Sequence, residues 1–127
     1  MRSNSDFSLF TFSHVNLQNA LLTKADVVGT NFADGNLSYA NLSSALLTHV
    51  NYSDVNFKGA DLSSAIMYWG DFSRADFTDA NLTGADLTNA ILIQATISPT
   101  QLASVKKLSC AIMPDGTRQP AETPFSC

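Results

Sequence analysis

The side chains that could do chemistry in this sequence are few and scattered. His14 and His49 could serve as general bases, and Cys110 and Cys127 as nucleophiles or metal ligands. Nucleophilic catalysis needs a Ser, Thr or Cys within reach of a positioned base, and neither histidine has a predicted partner of that kind. The glycines are isolated, so there is no glycine-rich phosphate loop. The sequence therefore predicts no enzyme, no cofactor and no metal.

The two cysteines lie in the last 18 residues of the chain, with sixteen residues between them. A zinc site would need both histidines as further ligands, and these are far away along the sequence. A disulfide between Cys110 and Cys127 is favoured over two free thiols, and a metal site is the least favoured of the three.

The elements that would position these side chains are set by a repeat of five residues. An apolar residue stands at every fifth position, which we call the centre of each repeat. A small residue, usually Ala, precedes the centre by two positions, Asn or Asp comes directly before it in most repeats, and Ser or Thr directly after. Neither a helix, which turns about 100° per residue, nor a straight strand keeps every fifth residue on one face. The chain must bend once per repeat, as in a solenoid. The centres are Phe7, Phe12, Leu17, Leu22, Val27, Phe32, Leu37, Leu42, Leu47, Tyr52, Phe57, Leu62, Met67, Phe72, Phe77, Leu82, Leu87, Leu92 and Ile97.

A second period of twenty residues gives the number of sides. Aromatic centres recur at Phe12, Phe32, Tyr52 and Phe72, and leucines recur at Leu22, Leu42, Leu62, Leu82 and Leu102. Twenty residues are four pentapeptides, so like side chains should stack in columns at the strand spacing of about 4.8 Å. The sequence predicts a four-sided, all-β solenoid.

These repeats resemble the pentapeptide-repeat family, whose motif is A(D/N)LXX. The resemblance covers about residues 5–97 and implies the family's right-handed quadrilateral β-helix. It implies almost nothing about function, because one fold hosts many functions. Close matches to the motif are Ala40-Asn41-Leu42, Ala60-Asp61-Leu62, Ala80-Asn81-Leu82 and Ala85-Asp86-Leu87.

The pattern divides the chain into a β-helix over residues 1–97 and a C-terminal cap over residues 98–127. Phe7, Phe10 and Phe12 are expected to plug the first coil. In the cap, Ser98-Pro99-Thr100-Gln101 is a capping box with proline at the first helical position. It predicts a short α-helix from about Pro99 to Leu108, with Leu102, Val105 and Leu108 on one face.

Beyond this helix, the stretch from Met113 to Gly116 predicts a β-turn. The turn would return the tail so that Cys127 meets Cys110. The surrounding Leu-x-Cys-x-x-Met-Pro-Asp-Gly-Thr sequence is similar to caps of cyanobacterial and chloroplast-lumenal members of the family.

One side of the solenoid departs from the motif at outward positions. Leu46 and Ile66 replace the expected Asn or Asp, one above the other, and Trp69 is the only tryptophan of the chain. Trp and Tyr are enriched at interface hot spots, although scattered surface hydrophobics are also normal. We expect a non-enzymatic interaction or scaffolding module that contacts an unknown protein partner or a second copy of itself. The candidate patch is Val28, Leu46, His49, Ile66, Tyr68 and Trp69.

The alternative is an inhibitor or regulator that mimics nucleic acid, as some pentapeptide-repeat proteins do towards DNA-handling enzymes such as gyrase. Asp34 and Asp54 stack in one column, but Arg74 comes next in it. The repeats from Phe7 to Ile97 would span about 22 Å at strand spacing, which is short of one duplex turn of about 34 Å. A continuous acidic column in the structure would favour this alternative.

Composition limits the partners and the compartment. The chain has a net charge of −4, which argues against direct binding of nucleic acid or anionic lipid. No apolar run approaches the roughly 18 residues of a membrane span. The N-terminus has no continuous apolar stretch, so a secretory signal is not expected. Cytoplasmic location is favoured, with periplasm or thylakoid lumen as the alternatives if a leader was removed.

Overall fold

A computed structural model describes residues 11–122 and 127 of the chain. Its regular backbone pairing consists of isolated parallel bridges between residues twenty apart, from Thr11 with Asn31 to Asp76 with Thr96. One coil therefore takes four pentapeptides, and each pentapeptide forms one side. We name the sides by their centres: side A holds Val27, Leu47, Met67 and Leu87; side B holds Phe12, Phe32, Tyr52, Phe72 and Leu92; side C holds Leu17, Leu37, Phe57, Phe77 and Ile97; side D holds Leu22, Leu42, Leu62 and Leu82.

Each corner of the coil is a β-turn that begins at the centre of a repeat. The carbonyl of Phe12 accepts a hydrogen bond from the amide of Val15 at 3.0 Å, and His14 between them has a φ of 60°. The residue two after the centre has a positive φ in every described repeat from His14 to Gln94, whereas the residue before it does not. This is the pattern of a type II turn. Placing a residue with a Cβ at this position costs about 1 kcal/mol of conformational free energy. Packing between coils must therefore stabilise the turn.

The Asn and Asp side chains before the centres stabilise these turns. Oδ1 of Asn41 accepts from the amide of Ser43 at 3.0 Å and from its hydroxyl at 2.7 Å. These are Asx turns, and they give the polar ladder a structural role. The same contact to the amide two residues on is made by Asn16, Asp26, Asn31, Asn36, Asn51, Asn56, Asp61, Asp71, Asp76, Asn81 and Asp86.

The interior is a packed column of centres and small residues. On side B the rings of Phe32, Tyr52 and Phe72 stack with centroid distances of 5.4 and 5.1 Å, and Phe12 extends the stack at 5.5 Å from Phe32. Phe12 is half-buried, whereas Phe7 and Phe10, the other residues of the predicted plug, lie outside the described residues. Burial raises the pKa of Tyr52 well above its ordinary value.

Helix α1, Pro99–Ser104, begins as the sequence predicts. The amide of Gln101 donates to Oγ of Ser98 at 3.1 Å, and the amide of Ser98 donates to Oε1 of Gln101 at 2.8 Å. The prediction that the helix continues to Leu108 is wrong, because Val105 is already extended with φ −71° and ψ 153°. Leu102, which the period of twenty placed in the side D column, lies instead in α1 and is half-buried against the core.

The helix stops because the last full coil presents an edge that needs backbone partners. The amide of Lys106 donates to the carbonyl of Ala85 at 2.7 Å, and Lys107 and Ile112 form parallel bridges to Asp86 and Ile91. These bridges join residues twenty-one apart, one more than in the repeats. After α1 the chain thus resumes the pentapeptide structure and adds a half coil on sides A and B.

The tail then folds back over this half coil. The predicted turn is confirmed: the amide of Gly116 donates to the carbonyl of Met113 at 2.8 Å, and Ile112 pairs antiparallel with Arg118. The sulfur atoms of Cys110 and Cys127 lie 2.03 Å apart, the separation of a disulfide, with their Cα atoms 5.5 Å apart.

Candidate interaction surface

The candidate surface lies on the outer columns of side A. One column holds the residues before the centres, with Leu46 and Ile66 between Asp26 and Asp86; bridges to neighbouring coils place them one above the other. Leu46 and Ile66 lack the carboxylate or amide that forms an Asx turn. We call Val28, Leu46, His49, Ile66, Tyr68 and Trp69 the aromatic patch.

The rings come from two further columns, formed by the residues one and two positions after each centre. His49 and Trp69 occupy adjacent coils, with ring centroids 6.3 Å apart and an interplanar angle of 12°. Trp69 is 56% exposed and Tyr68 is 37% exposed. Val28 is half-buried, and buried Thr48 lies between it and Tyr68 in their column. The structure therefore brings His49 and Trp69 together, as it does Leu46 and Ile66, and sets Val28 apart from Tyr68.

The backbone at the two rings is one that such residues rarely adopt. His49 has a φ of 57° and Trp69 a φ of 61°, in the left-handed region where Gly, Asn and Asp are the usual residues and a bulky residue is an outlier. The bond between coils is long at His49, whose amide donates to the carbonyl of Tyr68 at 3.4 Å, and ordinary at Trp69, whose amide donates to the carbonyl of Thr88 at 3.0 Å. The turn itself therefore does not explain why position 69 is a tryptophan.

Sequence reasoning missed other exposed hydrophobic residues. Tyr39 on side C is 53% exposed and Leu21 on side D is 55% exposed, at positions that match Trp69 and Ile66 within the repeat. The Tyr39 ring lies over Gly59, where an added Cβ would come within 2.5 Å of it. Tyr39 therefore has a structural contact. The signal that could have found both residues is their outward position in the repeat.

The charged column on side B does not form an acidic surface. Arg74 donates to both carboxylate oxygens of Asp54, from Nε at 2.9 Å and from Nη2 at 2.8 Å. This hydrogen bonding holds the pKa of Asp54 below its ordinary value. Asp34, the next residue in the column, lies 4.0 Å from His14. No outward column within residues 11–122 carries more than these two consecutive carboxylates.

The described residues, 11–122 and 127, also bear on metal binding and on membrane spanning. There, no group of three or more His, Cys, Asp or Glu side chains is arranged to hold a metal ion. Among the same residues, no helix has the length and apolar character required to cross a bilayer.

Parallel pairing at a spacing of twenty, with one turn per pentapeptide, defines the class of protein as a pentapeptide β-solenoid. The family model for pentapeptide repeats (8 copies) matches residues 11–48, 40–79 and 71–104, and the chain belongs to this family. Proteins of this family fold as right-handed quadrilateral β-helices, and they are generally structural or interaction modules. A comparison with curated protein sequences finds no match.

Several solved structures are similar. The pentapeptide repeat protein Rfr23 from the cyanobacterium Cyanothece 51142 matches with a TM-score of 0.81 at 20% identity, covering 87% of this chain and 89% of that one. A pentapeptide repeat protein from Nostoc PCC 7120 matches with a TM-score of 0.67 at 27% identity, covering 76% and 84%. Full-length QnrB1, a plasmid-mediated fluoroquinolone resistance protein, matches with a TM-score of 0.55 at 20% identity, covering 83% and 59%. The likenesses at 20% identity show the fold alone.

Proposed function

We propose that this protein is a non-enzymatic interaction or scaffolding module, a right-handed β-helix capped by residues 98–127, which contacts a protein partner through the aromatic patch on side A. The observation that carries the proposal is Trp69. It stands exposed on a left-handed backbone position that disfavours it, stacked with His49 of the preceding coil.

The neighbourhood of Trp69 supports contact with a protein. Leu46 and Ile66 replace turn-forming residues on the same side, which makes that column apolar between Asp26 and Asp86. Beside Ile66 lies a groove of about 370 Å³, lined by Ser64, Ala65, Ile66, Gly84, Asp86 and Lys106. An apolar and aromatic centre with charged residues at its margin is the usual anatomy of a protein interface.

The test is a pull-down that compares the wild-type protein with the double variant Trp69→Ala, Ile66→Asp. Truncating an interface hot spot costs about 2 kcal/mol or more, so the variant should bind a captured partner at least about thirtyfold more weakly. The thermal stability should stay nearly unchanged, because Trp69 is exposed and an Asp at position 66 restores the residue type that forms Asx turns elsewhere. A large loss of stability without a change in binding would contradict the proposal.

The chain offers a matched control on its other sides. Tyr39→Ala with Leu21→Asp makes the same kinds of change at equivalent repeat positions on sides C and D. A partner that recognises the patch should bind this control like the wild-type protein. Equal losses in both double variants would show nonspecific adhesion to exposed hydrophobic residues. If the captured partner is a second copy of the chain, sedimentation velocity of the same variants measures the loss of self-association.

For the compartment, we propose that the cysteine pair decides between the alternatives. Disulfides persist in oxidising compartments and are rare in a reducing cytoplasm. A stable bond between Cys110 and Cys127 supports the periplasm or thylakoid lumen over a reducing cytoplasm. Thiol counting in protein taken directly from its cells tests this proposal.

A further inference from the structure

The tail takes the place of the coil that would come after the last half coil. In the repeats, the amide of each centre and the amide two residues later donate to the next coil, as Leu87 and Asn89 do to Lys107 and Ser109. At the end of the solenoid, the amides of Met113 and Cys110 occupy these two positions. They donate to tail carbonyls: Met113 to Thr117 at 2.7 Å and Cys110 to Pro120 at 3.3 Å.

The tail also supplies the reverse bond. The carbonyl of the small residue in each repeat accepts from the next coil, as Ala90 does from Ile112 at 2.9 Å, and at the end Ala111 accepts from Gln119 at 2.8 Å. Residues 117–120 thus accept hydrogen bonds from the edge, at Cys110 and Met113, and donate one to it, at Ala111. Without them the half coil presents an open strand edge, which is a template for pairing with another chain.

Beyond Gln119, the described residues of the tail are attached to the half coil by one long backbone bond, one bond to a side chain and the disulfide. The bonds nearest the turn are short, whereas the amide of Cys110 and the carbonyl of Pro120 are 3.3 Å apart, and beyond them the amide of Glu122 donates to Oγ of Ser109 at 3.0 Å. A cleft of about 230 Å³ lies here, lined by Leu108, Ser109, Gln119, Pro120, Ala121 and Glu122. Residues 119–122 therefore leave a cleft against Leu108 and Ser109, and the bond between Cys110 and Cys127 is a covalent restraint on the tail.

We propose that this edge is an interaction surface for a second copy of the chain, whose tail takes the place of the chain's own when the disulfide is opened. The edge already pairs with residues 117–120, so an identical strand makes the same bonds, and its Cys127 reaches Cys110 as the chain's own does. Exchange of an identical element between protomers is a low-cost route to a dimer. The hinge is the turn at residues 114–116.

A dithiol reductant opens the disulfide in two exchange steps. Cys127 is exposed and Cys110 is only 7% exposed, so a thiolate of the dithiol attacks the sulfur of Cys127 and Cys110 leaves as a thiolate. The second thiol of the reductant then closes its own disulfide, and Cys127 is released as a thiol. Two electrons pass to the protein. Oxidised glutathione reverses the reaction, and the new bond joins Cys110 to the Cys127 seated beside it, in the same chain or in its partner.

The test uses two full-length variants, Cys110→Ser and Cys127→Ser, mixed at equal concentration in a glutathione redox buffer. Neither variant can close its own bond. Tail exchange places Cys127 of one variant beside Cys110 of the other. Random pairing would make half of all covalent dimers heterodimers, so the heterodimer share should be clearly above one half. Non-reducing electrophoresis with mass spectrometry measures its share.

A heterodimer share at or below one half, or the absence of covalent dimer, would overturn the proposal. Wild-type protein provides the second measurement: reduced and reoxidised when dilute it should return to monomer, because a short tether acts at an effective concentration of about 1 mM. Reoxidised near that concentration, it should yield a disulfide-linked dimer, and only monomer there would contradict exchange. The variant Trp69→Ala should exchange normally, which separates this surface from the aromatic patch.

Discussion

Replacing Tyr52 with Phe should stabilise the protein. The Tyr52 side chain is fully buried, and its hydroxyl has no hydrogen-bond partner among the described residues. A buried hydroxyl without a partner costs about 1–3 kcal/mol. Tyr52→Phe removes that cost and keeps the ring, which stacks between two phenylalanines, Phe32 and Phe72, with interplanar angles of 5° and 7°. A gain of about 1–2 kcal/mol in the free energy of unfolding is expected.

The gain in stability from Tyr52→Phe can be measured as a rise in melting temperature. With about 2.1 cal/mol/K per residue, a chain of 127 residues unfolds with an entropy of about 0.27 kcal/mol/K, so each kcal/mol raises Tm by about 4 °C. Circular dichroism should therefore show a rise of about 4–8 °C. The control is Tyr68→Phe, whose hydroxyl is on a partly exposed side chain and whose loss should leave Tm within about 1 °C.

Alkaline pH provides an independent check on Tyr52. Because burial raises its pKa in the folded state, the unfolded chain loses the tyrosine proton first as pH rises above about 10. The unfolded state then binds fewer protons, and stability falls with rising pH. Tyr52→Phe removes this contribution, so its advantage over the wild-type protein should grow above about pH 10. A variant less stable than the wild type would refute the reasoning and indicate a bonded hydroxyl.

The remaining predictions concern the core and the tail. Leu62→Ala should cost about 2–5 kcal/mol, because Leu62 is fully buried in the side D column, whereas Ser63→Ala should stay within about 0.5 kcal/mol; equal losses in urea melts would mean that inside and outside are reversed. Reduction of the bond between Cys110 and Cys127 should lower Tm by removing up to about 3 kcal/mol of stability. The far-ultraviolet circular dichroism spectrum of the repeats should stay unchanged. Two free thiols in unfolded, unreduced protein would contradict the bridge.

The candidate site could be predicted only in part from the sequence. Leu46, Ile66 and Trp69 stand out because they break the motif at outward positions, and the twenty-residue period places Leu46 below Ile66. Tyr39 and Leu21 break the motif as well, and only the structure shows that Tyr39 covers Gly59. Exposure and ring contacts depend on side chains from neighbouring coils, which a one-dimensional pattern does not contain.

The length of a coil, the residues that face inward and the start of α1 can all be predicted from the amino-acid pattern. These features are local and repeated: the same five-residue pattern recurs through Ile97, and the capping box lies within four residues. The end of α1 and the course of the chain after it depend instead on tertiary contacts. Lys107 and Ile112 are not helical because Asp86 and Ile91, twenty-one residues earlier, present an unpaired edge, and backbone groups at such an edge require partners. The extra residue in that spacing concealed the resumed repeat at Leu108 and Met113.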